Sequence, residues 1–342
     1  MRWARWCGWR SRPERRCAHD GLRLQLSFPN RHPANMGAPP FEAGAIRAML
    51  ADHDLILMLG GPFFEEVWFD AVRAVPETVP IVQIAPNHPV LARNFELAAG
   101  VVGDPAAALE ALAGVVADMA SAQFEAAAAQ RRATLEQRHA ERRAQGEAAL
   151  RSRWDALPML PGRALLEVAA ALPEDVIVVD ESITAGRDVQ FAFEFAAAGD
   201  YFGQRGGGIG QGIAGALGVK IANPERPVLC ISGDGSAMYH IQSLWTAANL
   251  GLDIVFVILA NREYRVLKHN LDIYRRRFDA ASNNPYPFMD FTPAMDFAAL
   301  ASGLGVAGVR ISDPAALQAA VQRAFAAGGP HLIEVAVSGK ES

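Results

Sequence analysis

Cysteine is scarce in this sequence: three residues in 342, with only Cys230 lying beyond position 17. So few thiols build no disulfide framework, and they fit a reducing compartment, the cytoplasm. No run of about 18 uninterrupted apolar residues occurs, so no membrane-spanning helix is expected. Positive charge is also short. With 32 Lys and Arg against 37 Asp and Glu the net charge is −5, the wrong sign for a dedicated nucleic-acid binder. A dinucleotide fingerprint is lacking, because Gly60-Gly61-Pro62 has neither the G-x-G-x-x-G spacing nor a ribose-binding acid after it. Hydrophobic residues make up 51% of the chain, which excludes a wholly disordered protein. At roughly 100–200 residues per domain the length suits two domains, or three small ones.

What is present begins oddly. The first 23 residues hold seven arginines against Glu14 and Asp20, together with Trp3, Trp6 and Trp9. Without them the net charge would be about −10. The segment has no apolar core of a secretory signal. A transit peptide and a nucleic-acid arm are two readings of it; a disordered basic leader over residues 1–27 is the one adopted.

From Phe41 the pattern becomes α/β. Phe41–Ala51 reads as a helix, Asp54–Leu59 and Pro80–Ala85 as buried parallel strands, Val101-Val102 as a short third strand and Pro105–Met119 as a helix. Residues 28–125 thus form a small central α/β domain. Phe124–Trp154, rich in Ala, Arg, Glu and Gln, reads as a solvated helix, and residues 126–159 as a helical linker. Over residues 160–340 helices at Arg163–Ala171, Ala237–Leu250, Asp296–Leu304 and Pro314–Ala326 alternate with strands. The strands are Val176–Val179, Val228–Ser232, Ile254–Leu259, Val306–Ile311 and His331–Val337; a Gly-rich turn and helix cover Gly206–Ile221. The fold class is therefore α/β, with two open parallel-sheet domains. Ligands of such sheets gather at the carboxyl ends of the strands.

The chemistry concentrates in Ser232-Gly233-Asp234-Gly235-Ser236, which closes one predicted strand, and Asn261, which closes the next one 27 residues after Asp234. One helix and one strand fill that interval, so both side chains reach neighbouring strand ends. A carboxylate, an amide oxygen and a main-chain carbonyl make a hard oxygen site for Mg²⁺. The glycines let backbone approach a phosphate, and the helix expected after them would point N–H groups at it.

Gly233-Asp234-Gly235-Ser236, the SLWTAANLGL stretch from Ser243 to Leu252 and Asn261 resemble the motif of thiamine diphosphate (ThDP) enzymes, closest to benzoylformate decarboxylases and acetolactate synthase-like proteins. The resemblance runs from about Phe28 to Val337 and implies their central and C-terminal domains. It makes Asp234, Asn261 and the Glu263 carbonyl the Mg²⁺ ligands. Ser236 and the backbone near Tyr264 fall to the diphosphate, with the Ser182 and Thr184 hydroxyls. It assigns Gly207, Gly208 and Ile209 to the aminopyrimidine turn, where Ile209 wedges between the two rings of the cofactor. Two departures stand out. Ala260 replaces the first of the two asparagines common in the motif, and Ile183 occupies a position where a hydroxyl is common.

The segment Phe28–Pro33 resembles one in which a histidine transfers protons, which makes His32 a candidate catalytic residue; an exposed loop histidine is its other reading. His240 and His269 receive no role. Lys268, Arg275, Arg276 and Arg277 could meet a substrate carboxylate, or form a solvated helix face, the reading adopted.

The implied activity is a lyase or transferase reaction: decarboxylation of a 2-oxo acid, with or without ligation to a second carbonyl. In the resembled family a glutamate that activates the cofactor sits in a pyrimidine-binding domain, and the active site lies between two subunits. No segment of this sequence matches that domain. The expectation is a truncated chain with little activity alone, acting as a homo-oligomer or beside a separate pyrimidine-domain chain. A non-catalytic ThDP-binding remnant and a nicotinamide-dependent dehydrogenase are the rival readings.

Overall fold

The structure, a computed structural model, describes residues 16–18, 25–61, 71–204, 206–281 and 286–339. Contacts divide the chain into two compact units, residues 1–21 with 31–141, and residues 22–30 with 142–342. The expected basic leader falls mostly outside the described residues, as does Pro62 of the Gly60-Gly61-Pro62 turn.

In the first unit strand β1 (Cys17–Ala18) pairs in parallel with β2 (Asn35–Gly37). Helix α1 (Ala43–Leu50) is followed by β3 (Ile56–Leu59), β4 (Ile81–Ala85) and β5 (Ala99–Val102), which form a three-stranded parallel sheet in that order. Ile46 and Leu50 of α1 pack on Met58, Val75 and Ile81, which buries the apolar face of the helix. Helix α2 (Pro105–Asp118) starts where Asp104 accepts from the N–H groups of Ala106 and Ala107, with Pro105 at its first position. Buried Gln83 ties the sheet to its loops: its Nε2 donates to the carbonyls of Gly60 and Val90, and its Oε1 accepts from Ala92 N.

Helix α3 (Ala122–Arg151) covers most of the predicted 124–154 span, and most of its residues are exposed. Polar on every side, it has no apolar face to bury.

The second unit runs α4 (Pro161–Ala169), β6 (Ile177–Glu181), α5 (Gly186–Ala192), β7 (Tyr201–Phe202), α6 (Gln211–Ala222), β8 (Val228–Gly233), α7 (Asp234–Ala237), α8 (Ser243–Asn249), β9 (Ile254–Ala260), α9 (Arg265–Phe278), α10 (Phe297–Gly303), β10 (Ala307–Ile311), α11 (Pro314–Ala327) and β11 (His331–Ala336). Its six strands form one parallel sheet in the order β10-β11-β9-β8-β6-β7. β9 is buried along its whole length and β8 up to its final glycine, which explains their unbroken apolar runs. Residues 25–30 belong to this unit: Asn30 Nδ2 donates to the carbonyls of Gln190 and Phe193, and its Oδ1 accepts from Phe195 N.

From β6 the chain leads outward to β7, and from β8 it leads the opposite way to β9. The reversal opens a crevice between the carboxyl ends of β6 and β8, where open α/β sheets bind ligands.

Three expectations require correction. The single helix predicted over Ala237–Leu250 is two: α7 is one turn, and α8 starts only at Ser243. Between them Tyr239 N bonds Ser236 O and His240 N bonds Ala237 O, a tight turn that replaces α-helical pairing. A four-residue helix carries little macrodipole, so the phosphate-directed helix end expected after Gly235 is not formed. Finally, Lys268 on α9 is 7% exposed and paired with acids rather than solvated.

Candidate functional site

The residues after β6, β8 and β9 meet in one open cleft. Ser182, Ile183 and Thr184 line it from β6, Gly233–Ser236 from β8, and Asn261, Glu263, Tyr264 and Arg265 from β9 and the start of α9. Ile209 adds an aliphatic side chain that is 39% exposed. Gly207 and Gly208 lie in the adjoining turn, where Gly207 has φ +73° and the Gly208 carbonyl accepts from the side chains of Gln204 and Gln211. Residues distant in sequence are thus joined by the sheet register, which pairs Glu181 with Ser232 and Gly233 with Leu259.

Asp234 is the electrostatic centre. Only 3% exposed, its carboxylate accepts from Gly235 N at 2.8 Å and from Arg262 N at 2.6 Å. Burial pushes its pKa up to about 6, against the pull of those two backbone bonds. The Gly235 N–H is thereby occupied by Asp234 rather than open toward a phosphate. Asn261 Oδ1 accepts from Glu263 N at 3.0 Å, which folds the end of β9 back over the cleft and leaves that oxygen a second lone pair. Arg262 within this turn has φ +61°, and Ile183 across the cleft has φ +54°. Both are costly for residues with a Cβ, and for β-branched Ile183 especially so, which marks the rim as strained.

Ser182 is 4% exposed and its Oγ has no hydrogen-bond partner among the described residues. Its backbone N–H donates to Asp180 Oδ1, while Tyr201 OH donates to Asp180 Oδ2, so Asp180 holds the Ser182 turn in place. At Gly235 a Cβ would stand 2.9 Å from the Tyr264 ring and 3.2 Å from Phe291, whose rings meet edge-on at 4.5 Å. Gly233 is different: its nearest neighbour to a Cβ is the Ser182 carbonyl at 4.0 Å, so backbone there is open to the cleft.

The side chain of Glu263 pairs with Lys268, whose Nζ also reaches Asp290 Oδ1 at 2.5 Å. Burial alone would lower the Lys268 pKa, but its bonds to Asp290 and Glu263 outweigh this and raise it. His32 belongs to the first unit, where it is half-buried and its Nδ1 accepts from Ala34 N at 3.1 Å. Burial, followed by the charge of His139, lowers its pKa.

Two family models match this chain: the central domain of thiamine pyrophosphate enzymes over residues 21–112, and their C-terminal TPP-binding domain over residues 187–335. The chain belongs to the thiamine pyrophosphate enzymes. Among relatives of this ThDP family, a benzoylformate decarboxylase of Pseudomonas aeruginosa is 33% identical over 312 residues, 90% of this chain and 53% of that one. A Mycobacterium tuberculosis protein given the acetolactate synthase large-subunit name IlvX is 42% identical over 190 residues, 53% of this chain and 36% of its own length. A solved 4-hydroxybenzoylformate decarboxylase from Rhodococcus jostii RHA1 superposes with a TM-score of 0.80 at 25% identity, covering 99% of this chain and 59% of that one. The chain therefore spans about half the length of the decarboxylases it matches, and less of the acetolactate synthase relative.

The residues of this ThDP-family cleft fit a metal–diphosphate. Among the described residues no three His, Cys, Asp or Glu side chains gather as a metal site. A set of one carboxylate, one amide oxygen and one carbonyl is not such a cluster, and it leaves the remaining Mg²⁺ positions to phosphate and water. The buried Asp234 carboxylate faces the cleft with no cationic side chain among the described residues bonded to it, and the Ser182 hydroxyl beside it is unsatisfied among them. Asp180 and Glu181 lie in the Asp180–Thr184 segment that the sequence reading placed near the diphosphate, but they received no role there, because an acid at a strand end looks like any turn residue. No helix among the described residues is long and apolar enough to cross a membrane.

Proposed function

We propose that this chain binds Mg²⁺–ThDP in the cleft between β6 and β8 and serves as the diphosphate-holding part of a 2-oxo acid decarboxylase. The observation that carries the reading is the buried Asp234 carboxylate, fixed by two backbone N–H groups beside the unpartnered Ser182 hydroxyl and the Asn261 turn. Asp234 and Asn261 would give side-chain oxygens to Mg²⁺, and Glu263 its main-chain carbonyl. Ser182, Thr184 and Ser236 would donate hydroxyl protons to the phosphates, with the open backbone at Gly233 permitting close approach. The Ile209 side chain would support the bent cofactor from the adjoining turn. Bound there, ThDP supplies the carbon nucleophile and electron sink that decarboxylation of a 2-oxo acid needs.

A decarboxylase is favoured over a carboligase because the benzoylformate decarboxylase match extends over 90% of this chain, against 53% for the acetolactate synthase relative. By the same resemblance His32 would be a proton-transfer group for the substrate. Proton exchange at the aminopyrimidine ring calls for the glutamate of a pyrimidine-binding domain, which would come from outside the two matched domains. Fast turnover is then a property of the assembly.

Calorimetric titration of the chain with ThDP in Mg²⁺ and in EDTA tests this. Binding that depends on the metal is expected, with slow CO₂ release from benzoylformate or pyruvate. ThDP affinity that is undetectable, or indifferent to EDTA, would overturn it.

A further inference from the structure

The resemblance and the metal set leave unexplained a carboxylate beside the cleft. Glu181, the last residue of β6, is 2% exposed. Its Oε1 accepts from Gly210 N at 2.5 Å and from Gln211 N at 3.0 Å, and its Oε2 accepts from Gly212 N at 2.8 Å. These are the first donors of α6, a helix of 12 residues whose unpaired N–H groups favour a negative charge. The backbone has been cleared for this contact. At Gly212 a Cβ would stand 2.7 Å from the Glu181 Cβ, and at Gly210, with φ +97°, it would overlap the His240 ring. Burial raises the Glu181 pKa, while the bonds from Gly212, Gly210 and Gln211, and then the charge of His240, lower it.

The position matters more than the bonds. Directly after Glu181 come Ser182 and Thr184 on one wall of the cleft; directly before Gly210 comes Ile209 on another. One side chain therefore joins the two walls.

We infer that Glu181 is a positioning residue, which clasps the Gly206–Gly210 turn to the end of β6 and so sets where Ile209 stands relative to Ser182 and Thr184. The inference rests on the ThDP reading for its ligand. In those terms Glu181 governs how tightly the aminopyrimidine half of ThDP is held and leaves the diphosphate half to Gly233–Ser236, Asn261 and the Ser182 and Thr184 hydroxyls, whose turn Asp180 holds independently. Glu181→Gln keeps the shape but sets an NH₂ group against backbone donors, so at most two of the three bonds survive.

The test uses the full chain as wild type, E181Q, E181A and I209A. Amide exchange is measured without ligand, and affinity is measured in Mg²⁺ for inorganic diphosphate and for ThDP. In E181Q and E181A the Gly210, Gln211 and Gly212 amides should exchange at least about tenfold faster, while those of Gly235 and Arg262 hold their rates. ThDP affinity should fall about tenfold and diphosphate affinity by less than about twofold, a split that general loosening of the fold would not produce. I209A should show the same split, and the double variant E181A/I209A should bind no worse than the weaker single one. Unchanged exchange at residues 210–212, or equal weakening of both ligands, would overturn the inference. A wild-type chain that binds neither ligand would instead sink the ThDP reading, and the exchange comparison alone would then decide the role of Glu181.

Discussion

The carboxylate of Asp234, at the end of β8, accepts a hydrogen bond at 2.6 Å from the backbone N–H of Arg262, just past β9. Twenty-eight residues separate the two, and the bond exists because β8 and β9 pair in parallel with Gly233 beside Leu259. The same bond draws the Asn261–Glu263 turn over the cleft, so one acid both offers an oxygen to a cation and shapes the loop that offers the others.

Asp234→Asn keeps this shape and removes the charge. Mg²⁺-dependent ThDP affinity should fall at least about 100-fold by calorimetry, in line with the loss of a charged metal ligand. The metal-free variant should be no less stable than wild type. The sign follows from the raised pKa: the folded state favours protonated Asp234, so this group's contribution is present below about 3.8 and is lost as pH rises through about 6. Thermal melts of the metal-free chain between pH 4 and pH 7 should show that decline in wild type and less of it in the variant. Saturating Mg²⁺ and ThDP should offset it.

His32 runs the other way. Its lowered pKa means the folded state favours the neutral ring, so the stabilisation is full above about 6.5 and is lost as pH falls through the depressed value. His32→Asn can keep the acceptor for Ala34 N without titrating. Its melting temperature relative to wild type should rise as the pH is lowered from 7.5 to 5; a constant difference would contradict the assignment.

Gly212→Ala places a methyl group 2.7 Å from the Glu181 Cβ, with both atoms on rigid backbone. Destabilisation of about 1–3 kcal/mol is expected from overpacking, measured by urea unfolding. Gly215→Ala in the same helix meets nothing within 4 Å and should be neutral or slightly stabilising.

Lys268→Met removes the cation between Glu263 and Asp290. Glu263 is mostly buried and loses its partner, whereas Asp290 is largely exposed and can turn to water. A loss of about 2 kcal/mol is expected, below the cost of breaking a wholly buried pair. The double variant K268M/E263Q should recover part of it, read as the coupling energy of the cycle.

Much of this was legible along the chain. The unbroken apolar runs that became β8 and β9 are buried on both faces, and a strand covered on both faces leaves such a run in any sequence. The spacing from Asp234 to Asn261 foretold adjacent strand ends, because a crossover helix and a parallel strand consume that many residues. The helix break after Ala237 was not legible. Its residues suit a helix well enough, and the turn that replaces it sets His240 against Gly210, a contact far off in sequence. Lys268 looked like its solvated neighbours Arg276 and Arg277, since burial of a cation depends on which acids fold back onto it.

The sequence by itself determined the alternation of strands and helices, the family and the residues that could meet a metal–diphosphate, because these follow from periodicity, spacing and local motif. Tertiary structure alone decided that Asp180 holds the Ser182 turn, that Glu181 caps α6 and that Lys268 is buried. Each of those depends on a partner 20 or more residues away or on a loop folded back, and the register of the parallel sheet brings such groups together. A carboxylate carries no mark of which N–H groups it will meet.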